Sequence, residues 1–139
     1  MDKARFKFLE HTADIKFQAF GKSLNEVFKN SALAMKEAIT EKKVKSVEET
    51  KISVKGKDLE SLLYNFLEEL IYLLDAKNFL LGKVKNIKVN EKKYKLTATL
   101  IGDKASNYIF SNLVKAVTYN NMLIKKKGKF FTAQVVLDV

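Results

Sequence analysis

The sequence predicts an α+β domain: a largely antiparallel sheet with about three helices packed on it. Short runs that alternate apolar and polar residues recur along the chain, the period-two mark of strands with one wet face. Two longer stretches instead repeat apolar residues every three to four positions, as helices do. The strand-like runs come mostly in neighbouring pairs, strand-strand-helix-strand-helix and then hairpin, helix, hairpin, an order that favours antiparallel pairing over βαβ units.

The chain of 139 residues is 47% apolar and 30% charged, enough for one domain over 1–139 with a real core and a solvated surface. There is no proline, and no linker, repeat or low-complexity stretch interrupts it. The absence of cysteine removes disulfides and thiolate metal sites and suits a reducing cytoplasm. The N-terminus lacks an apolar core for a secretory signal, and the longest nearly apolar run, 70–74, is far shorter than a membrane span. A soluble cytoplasmic protein with no membrane partner is expected.

In chain order, Phe6 and Phe8 alternate with Arg5 and Lys7 as a first strand, and Ile15, Phe17 and Ala19 alternate with Lys16 and Gln18 as a second. The polar link between them is Glu10-His11-Thr12-Ala13-Asp14. Gly21 ends the second run, and Ser23 with Glu26 reads as a capping box opening a helix over about 24–39, with Leu24, Val27, Phe28, Ser31, Met35 and Ile39 on one face. The charged stretch 42–49 reads as a connector or ragged edge strand, and Thr50, Ile52 and Val54 as a strand that Gly56 breaks.

Asp58 is placed to cap the strongest helix, whose Leu59, Leu62, Leu63, Phe66, Leu67, Leu70, Leu73 and Leu74 form the expected centre of the core. Val84, Ile87 and Val89 then lead through the polar turn 90–93 into Tyr94, Leu96, Ala98 and Leu100, a hairpin. Beyond Gly102-Asp103, Ile109, Leu113, Val114 and Val117 stand near helical spacing, which predicts a third helix over 106–117. Residues 122–125 and 130–138, joined across Gly128, make the closing hairpin, with Phe131, Ala133, Val135 and Leu137 on one face and Asp138 on the other.

The formal net charge of +10 raises the prospect of a polyanionic partner. Arg5 is the single arginine, however, so the bidentate group favoured in specific phosphate and base recognition is nearly absent, and a lysine-coated solvated surface is the plainer reading. DNA is not an expected partner. No glycine-rich phosphate loop or cysteine nucleophile is present, and His11, the one histidine, excludes zinc sites of the common kinds. What remains is oxygen chemistry: Asp14 in the polar link, Asp138 at the far end, and the α-carboxylate of Val139, a hard-cation donor set if the fold joins them. Taken singly, Asp14 is more often a turn or cap residue, Asp138 a chain-end solubiliser, and His11 a hydrogen-bonded structural residue.

The segment Glu10-His11-Thr12-Ala13-Asp14-Ile15, followed by Gly21, Leu24, Val27 and Phe28, resembles the N-terminal signature of the archease family. The resemblance continues through the acidic-then-leucine helix from Asp58 to Leu70, through Val114-Lys115-Ala116-Val117-Thr118-Tyr119, and through the ending Val135-Val136-Leu137-Asp138-Val139. Several motifs in the right order, spanning nearly the whole chain, are far more specific than one. Two departures are visible: Asn120 where the family often has histidine, and Gly102-Asp103 where it has Gly-Glu.

The resemblance implies a non-catalytic protein cofactor of an RtcB-type tRNA-splicing RNA ligase. Such a factor promotes guanylylation of the ligase by GTP and its multiple turnover, with tRNA reached indirectly through the ligase. It further implies a divalent cation on Asp14, Asp138 and Val139. Calcium is the first choice, because flexible oxygen ligands suit it, with magnesium or manganese as alternatives. His11 and Lys115 are the candidate partner contacts. The alternative is a chaperone-like or RNA-binding accessory protein for a tRNA-modifying enzyme such as a tRNA methyltransferase.

Overall fold

The structure, a computed structural model, describes residues 5–10 and 13–139. Among them the chain forms β1 (Phe6–Leu9), β2 (Ile15–Gly21), α1 (Leu24–Ile39), β3 (Glu48–Lys55), α2 (Leu59–Lys77), β4 (Phe79–Asn90), β5 (Lys95–Lys104), a 3-10 turn at Ala105–Asn107, β6 (Ala116–Lys127) and β7 (Phe130–Asp138). The α+β class and the antiparallel pairing are as the sequence predicts. The strands nevertheless divide into two sheets, β1-β2-β7-β6 and β3-β5-β4, in place of one.

Both helices touch both sheets, and this explains an excess in the sequence pattern. A helix resting on a single sheet needs one apolar stripe. In α2 the buried set is Leu62, Leu63, Phe66, Leu67, Leu70, Ile71, Leu73 and Leu74, a wider arc than one surface requires. Phe28 of α1 stacks on Phe66 of α2 with ring centroids 6.3 Å apart, joining the helices between the sheets.

The helix starts obey their capping chemistry. Ser23 Oγ accepts from the Glu26 amide at 3.1 Å, while Glu26 Oε1 accepts from the Lys22 amide at 3.2 Å, one residue outside the reciprocal bond the motif predicts. For α2 the box is complete: Asp58 Oδ1 accepts from the Ser61 amide at 2.8 Å and the Asp58 amide donates to Ser61 Oγ at 3.1 Å. Those bonds, the Ser61 amide foremost, hold the Asp58 carboxyl below the usual carboxylate range.

The predicted third helix is absent: past the turn at Ala105–Asn107, residues 108–115 run irregularly into β6. The cause lies at the C-terminus of α1, whose last carbonyls need donors. The Ser111 amide donates to Ile39 O at 2.7 Å and Asn112 Nδ2 to Ala38 O at 2.8 Å, so this segment spends its polar groups closing another helix. Thr40 Oγ1 donates in turn to Ile109 O at 3.0 Å.

β5 runs past Leu100, through Gly102, to Lys104. A Cβ at Gly102 would collide with the Leu80 carbonyl of β4, so glycine is there to let two backbones approach.

Candidate functional site

The pairing of β2 with β7 decides whether the two ends of the chain meet. Its register runs from Gly21 opposite Phe131 to Ile15 opposite Leu137. Asp14 and Asp138, the last residue of β7, each lie one residue beyond that final pair, at the same end of the two strands. Ala13, at φ 66, turns the chain away just before Asp14.

β6 closes the other side of this corner. Ala116 pairs with Asp138, and the Lys115 amide donates to the Asp138 carbonyl at 2.8 Å. Lys115 is exposed and, with Leu74, Asp75, Phe110 and Leu113, lines a shallow depression beside the strand end. Asp14 is half-buried, Asp138 exposed, and the Val139 side chain packs partly against the core. The fold thus gathers Asp14, Asp138, Val139 and Lys115 at one end of the larger sheet. His11 lies outside the described residues. Among the described residues no three His, Cys, Asp or Glu side chains cluster as metal ligands. The two aspartates offer hard oxygen donors, the kind that calcium and magnesium take.

Three further groups escaped the reading of the sequence. Glu68 Oε2 accepts from the Val117 amide at 2.7 Å, tying the middle of α2 to the start of β6. A glutamate inside a leucine-rich helix was the available signal. Asp103, one of the two departures from the family pattern, is 5% exposed and belongs to the smaller sheet. It accepts from Tyr108 Oη at 2.7 Å and from the Lys104 amide at 2.7 Å, and these bonds, Tyr108 first, keep its carboxyl below the usual range. The Lys45 amide donates to Tyr108 Oη at 2.8 Å, so the group fastens two irregular segments to β5. Finally, Tyr119 lies parallel to Tyr64, centroids 4.2 Å apart and planes 6° apart. Desolvation, then Tyr64 and Asp58, push its phenol above the ordinary value.

Tyr119 reaches Tyr64 because β6 is irregular there. Thr118 pairs with Val136 but the next pair is Leu123 with Gln134, so extra residues loop out around Asn121 at φ 57. Asn120, the second departure, sits exposed on this bulge with its amide donating to Thr118 Oγ1 at 3.2 Å.

Fold and corner together define a two-sheet α+β protein with two aspartates at one end of its larger sheet. The model of the Archease protein family (MTH1598/TM1083) matches residues 6–139, and the chain belongs to that family. It is 41% identical over 140 residues to the protein archease of Methanosarcina barkeri, covering 97% of this chain and 96% of that one. The protein archease of Pyrococcus abyssi is 40% identical over 141 residues, covering 97% and 99%. The solution structure of Methanobacterium thermoautotrophicum protein 1598 superposes with a TM-score of 0.82 at 36% identity, over 97% of this chain and 99% of that one. A crystal structure from Thermotoga maritima, described as an archease and "possible chaperone", shares the fold with a TM-score of 0.65 at 21% identity, over 100% and 98% of the two chains. No helix among the described residues is long and apolar enough to cross a membrane.

Proposed function

We propose that this protein is a non-catalytic activator of an RtcB-type tRNA-splicing RNA ligase in the cytoplasm, promoting the ligase's guanylylation by GTP and its repeated turnover in tRNA splicing and RNA repair. Asp14, Asp138 and the main-chain carboxylate of Val139 hold a divalent cation, calcium by preference, with magnesium or manganese also suited to oxygen donors. When bound, the ion supplies concentrated positive charge at the strand end. Lys115 beside it contacts the ligase or the triphosphate of the ligase's nucleotide, as a lysine does by charge, and His11 is a second partner contact. The tRNA is reached through the ligase.

The observation that supports this reading is the β2–β7 register, whose last pair, Ile15 with Leu137, adjoins both motif aspartates in a chain of this family. A single-turnover guanylylation assay with the cognate ligase tests it. Substoichiometric wild-type protein should raise ligase-guanylate formation. Asp14→Asn and Lys115→Ala should each lower that gain by about tenfold or more, the scale of one lost charged interaction, with thermal unfolding unchanged. Full activation by both variants would sink the assignment of this corner.

A second reading, a chaperone-like accessory protein for a tRNA-modifying enzyme such as a methyltransferase, draws on Ile109 and Leu113, which are 82% and 71% exposed. It predicts suppressed aggregation of that enzyme by wild type and not by Ile109→Ser/Leu113→Ser, with no effect on guanylylation.

A further inference from the structure

The outward face of β3-β5-β4 is open to solvent and rich in lysine. On β3, Lys51, Ser53 and Lys55 point outward, alternating with half-buried Thr50, Ile52 and Val54. Lys55 pairs across with Lys95 of β5, while Ser53 pairs with Thr97, which pairs in turn with Lys88 of β4. Four lysines and two hydroxyls therefore share one patch. Among the described residues none of the four joins an ion pair; the acid on this face, Glu49, is taken by Lys85 at 3.0 Å.

Lysines on edge strands have a common explanation, since they deter pairing with other chains. That accounts for Lys51, Lys55 and Lys88, because β3 and β4 are the edges of the sheet. It does not account for Lys95. β5 is the central strand, with no free edge to protect, and like charges directly opposite each other destabilise a sheet. Lys55 and Lys95 thus set two like charges directly opposite each other, an arrangement that a polyanion would relieve.

The patch continues onto an aromatic surface. Lys55 also borders an open concavity with Gly56, Lys57, Ser61, Asn65 and Tyr119. Tyr119 is 54% exposed and stacks on Tyr64 with its ring nearly parallel. Its ring, and not that of Tyr64, borders the concavity. Asp58 at the rim already accepts the Ser61 amide at 2.8 Å. Lysines on a sheet face beside an exposed aromatic ring are the elements of single-strand binding: charge follows the phosphates while a base stacks.

We propose that this face binds a single-stranded nucleic acid, with phosphates over Lys51, Lys55, Lys88 and Lys95 and one base on Tyr119. The site is separate from the aspartate corner and stands whether or not the protein activates a ligase.

Fluorescence anisotropy of a short labelled oligouridylate, titrated with the whole protein over a range of salt, tests it. Binding should weaken with salt, and Lys55→Gln/Lys95→Gln should reduce the slope of log affinity against log salt by about 1.4, at about 0.7 per lysine. Tyr119→Leu should weaken binding by about five- to a hundredfold without changing the slope. Lys127→Gln/Lys129→Gln, removing equal charge at the β6–β7 turn, should leave affinity nearly unchanged. Oligothymidylate should bind alike, and complete discrimination between the two strands would overturn a contact made of phosphates and stacking alone. Absence of binding at low salt, or equal loss in the turn variant, would overturn the proposal. So would a silent Tyr119→Leu together with full competition by polyglutamate, which would assign the face to an acidic protein instead.

Discussion

The larger sheet gathers its charged corner from opposite ends of the chain, Asp14 and Asp138, whereas the smaller sheet gathers its lysines from strands that mostly follow one another. The first assembly depends on one long-range register, β2 on β7; the second depends on plain alternation along β3 and β5. The corner is acidic, small and set at a strand end, while the face is basic, broad and flat. The acidic corner and the lysine face thus stand on different sheets, and what holds the sheets together is the pair of helices that both of them share.

The sharpest way to break that comparison is to remove the shared packing. Phe66 is fully buried on α2 and stacks on Phe28, and α2 contacts strands of both sheets. Phe66→Ala should cost about 3–5 kcal/mol, the range for an aromatic deleted from a packed core. Denaturant unfolding followed by circular dichroism gives the size. Amide exchange should show protection falling in β2 and β7 together with β5. Loss confined to β3-β5-β4 would mean that the sheets have separate cores.

The same contrast governs what the sequence shows. Alternation and three-to-four spacing predict α1 at 24–39 and the cap at Asp58, both as observed, because those signals are local. The metal candidates Asp14 and Asp138 are named by their motifs, yet their standing at the same end of two paired strands is a property of register, which no local pattern states. The helix expected over 106–117 fails for a related reason. Ile109 and Leu113 have helical spacing, but Ser111 and Asn112 are claimed by the end of α1 in three dimensions. The Tyr64–Tyr119 stack depends on a bulge that alternation does not reveal.

A smaller effect distinguishes the sheets by pH. Asp103 of β5 is held below the usual carboxylate range by Tyr108 and the Lys104 amide, and its unfolded counterpart titrates near about 3.9. The folded state therefore binds fewer protons than the unfolded state around that pH. Its stabilising contribution is complete above the unfolded value and is lost as pH falls through the lower folded one. Asp103→Asn should lower the unfolding midpoint at neutral pH and flatten the loss of stability below about pH 4. Unfolding midpoints measured across acid pH check this, and parallel curves for the two proteins would remove Asp103 as a contributor.

The smallest expected change is a gain. If Lys55 and Lys95 repel across β3 and β5, replacing both by glutamine should make the free protein more stable by about 0.2–1 kcal/mol, the scale of a cross-strand pair. The gain should shrink in high salt, because exposed charges are screened over about 10 Å at 0.1 M ionic strength and over less as salt rises. Lysines retained only for solubility at an edge predict no gain, since their charges would be too well solvated to oppose folding. Thermal unfolding of the variant at low and high salt decides between them. A variant that is more stable alone but weaker in binding an oligonucleotide places the cost and the use of the lysines on the same pair of residues. Equal stability at both salts would leave Lys95 facing Lys55 without an energetic consequence.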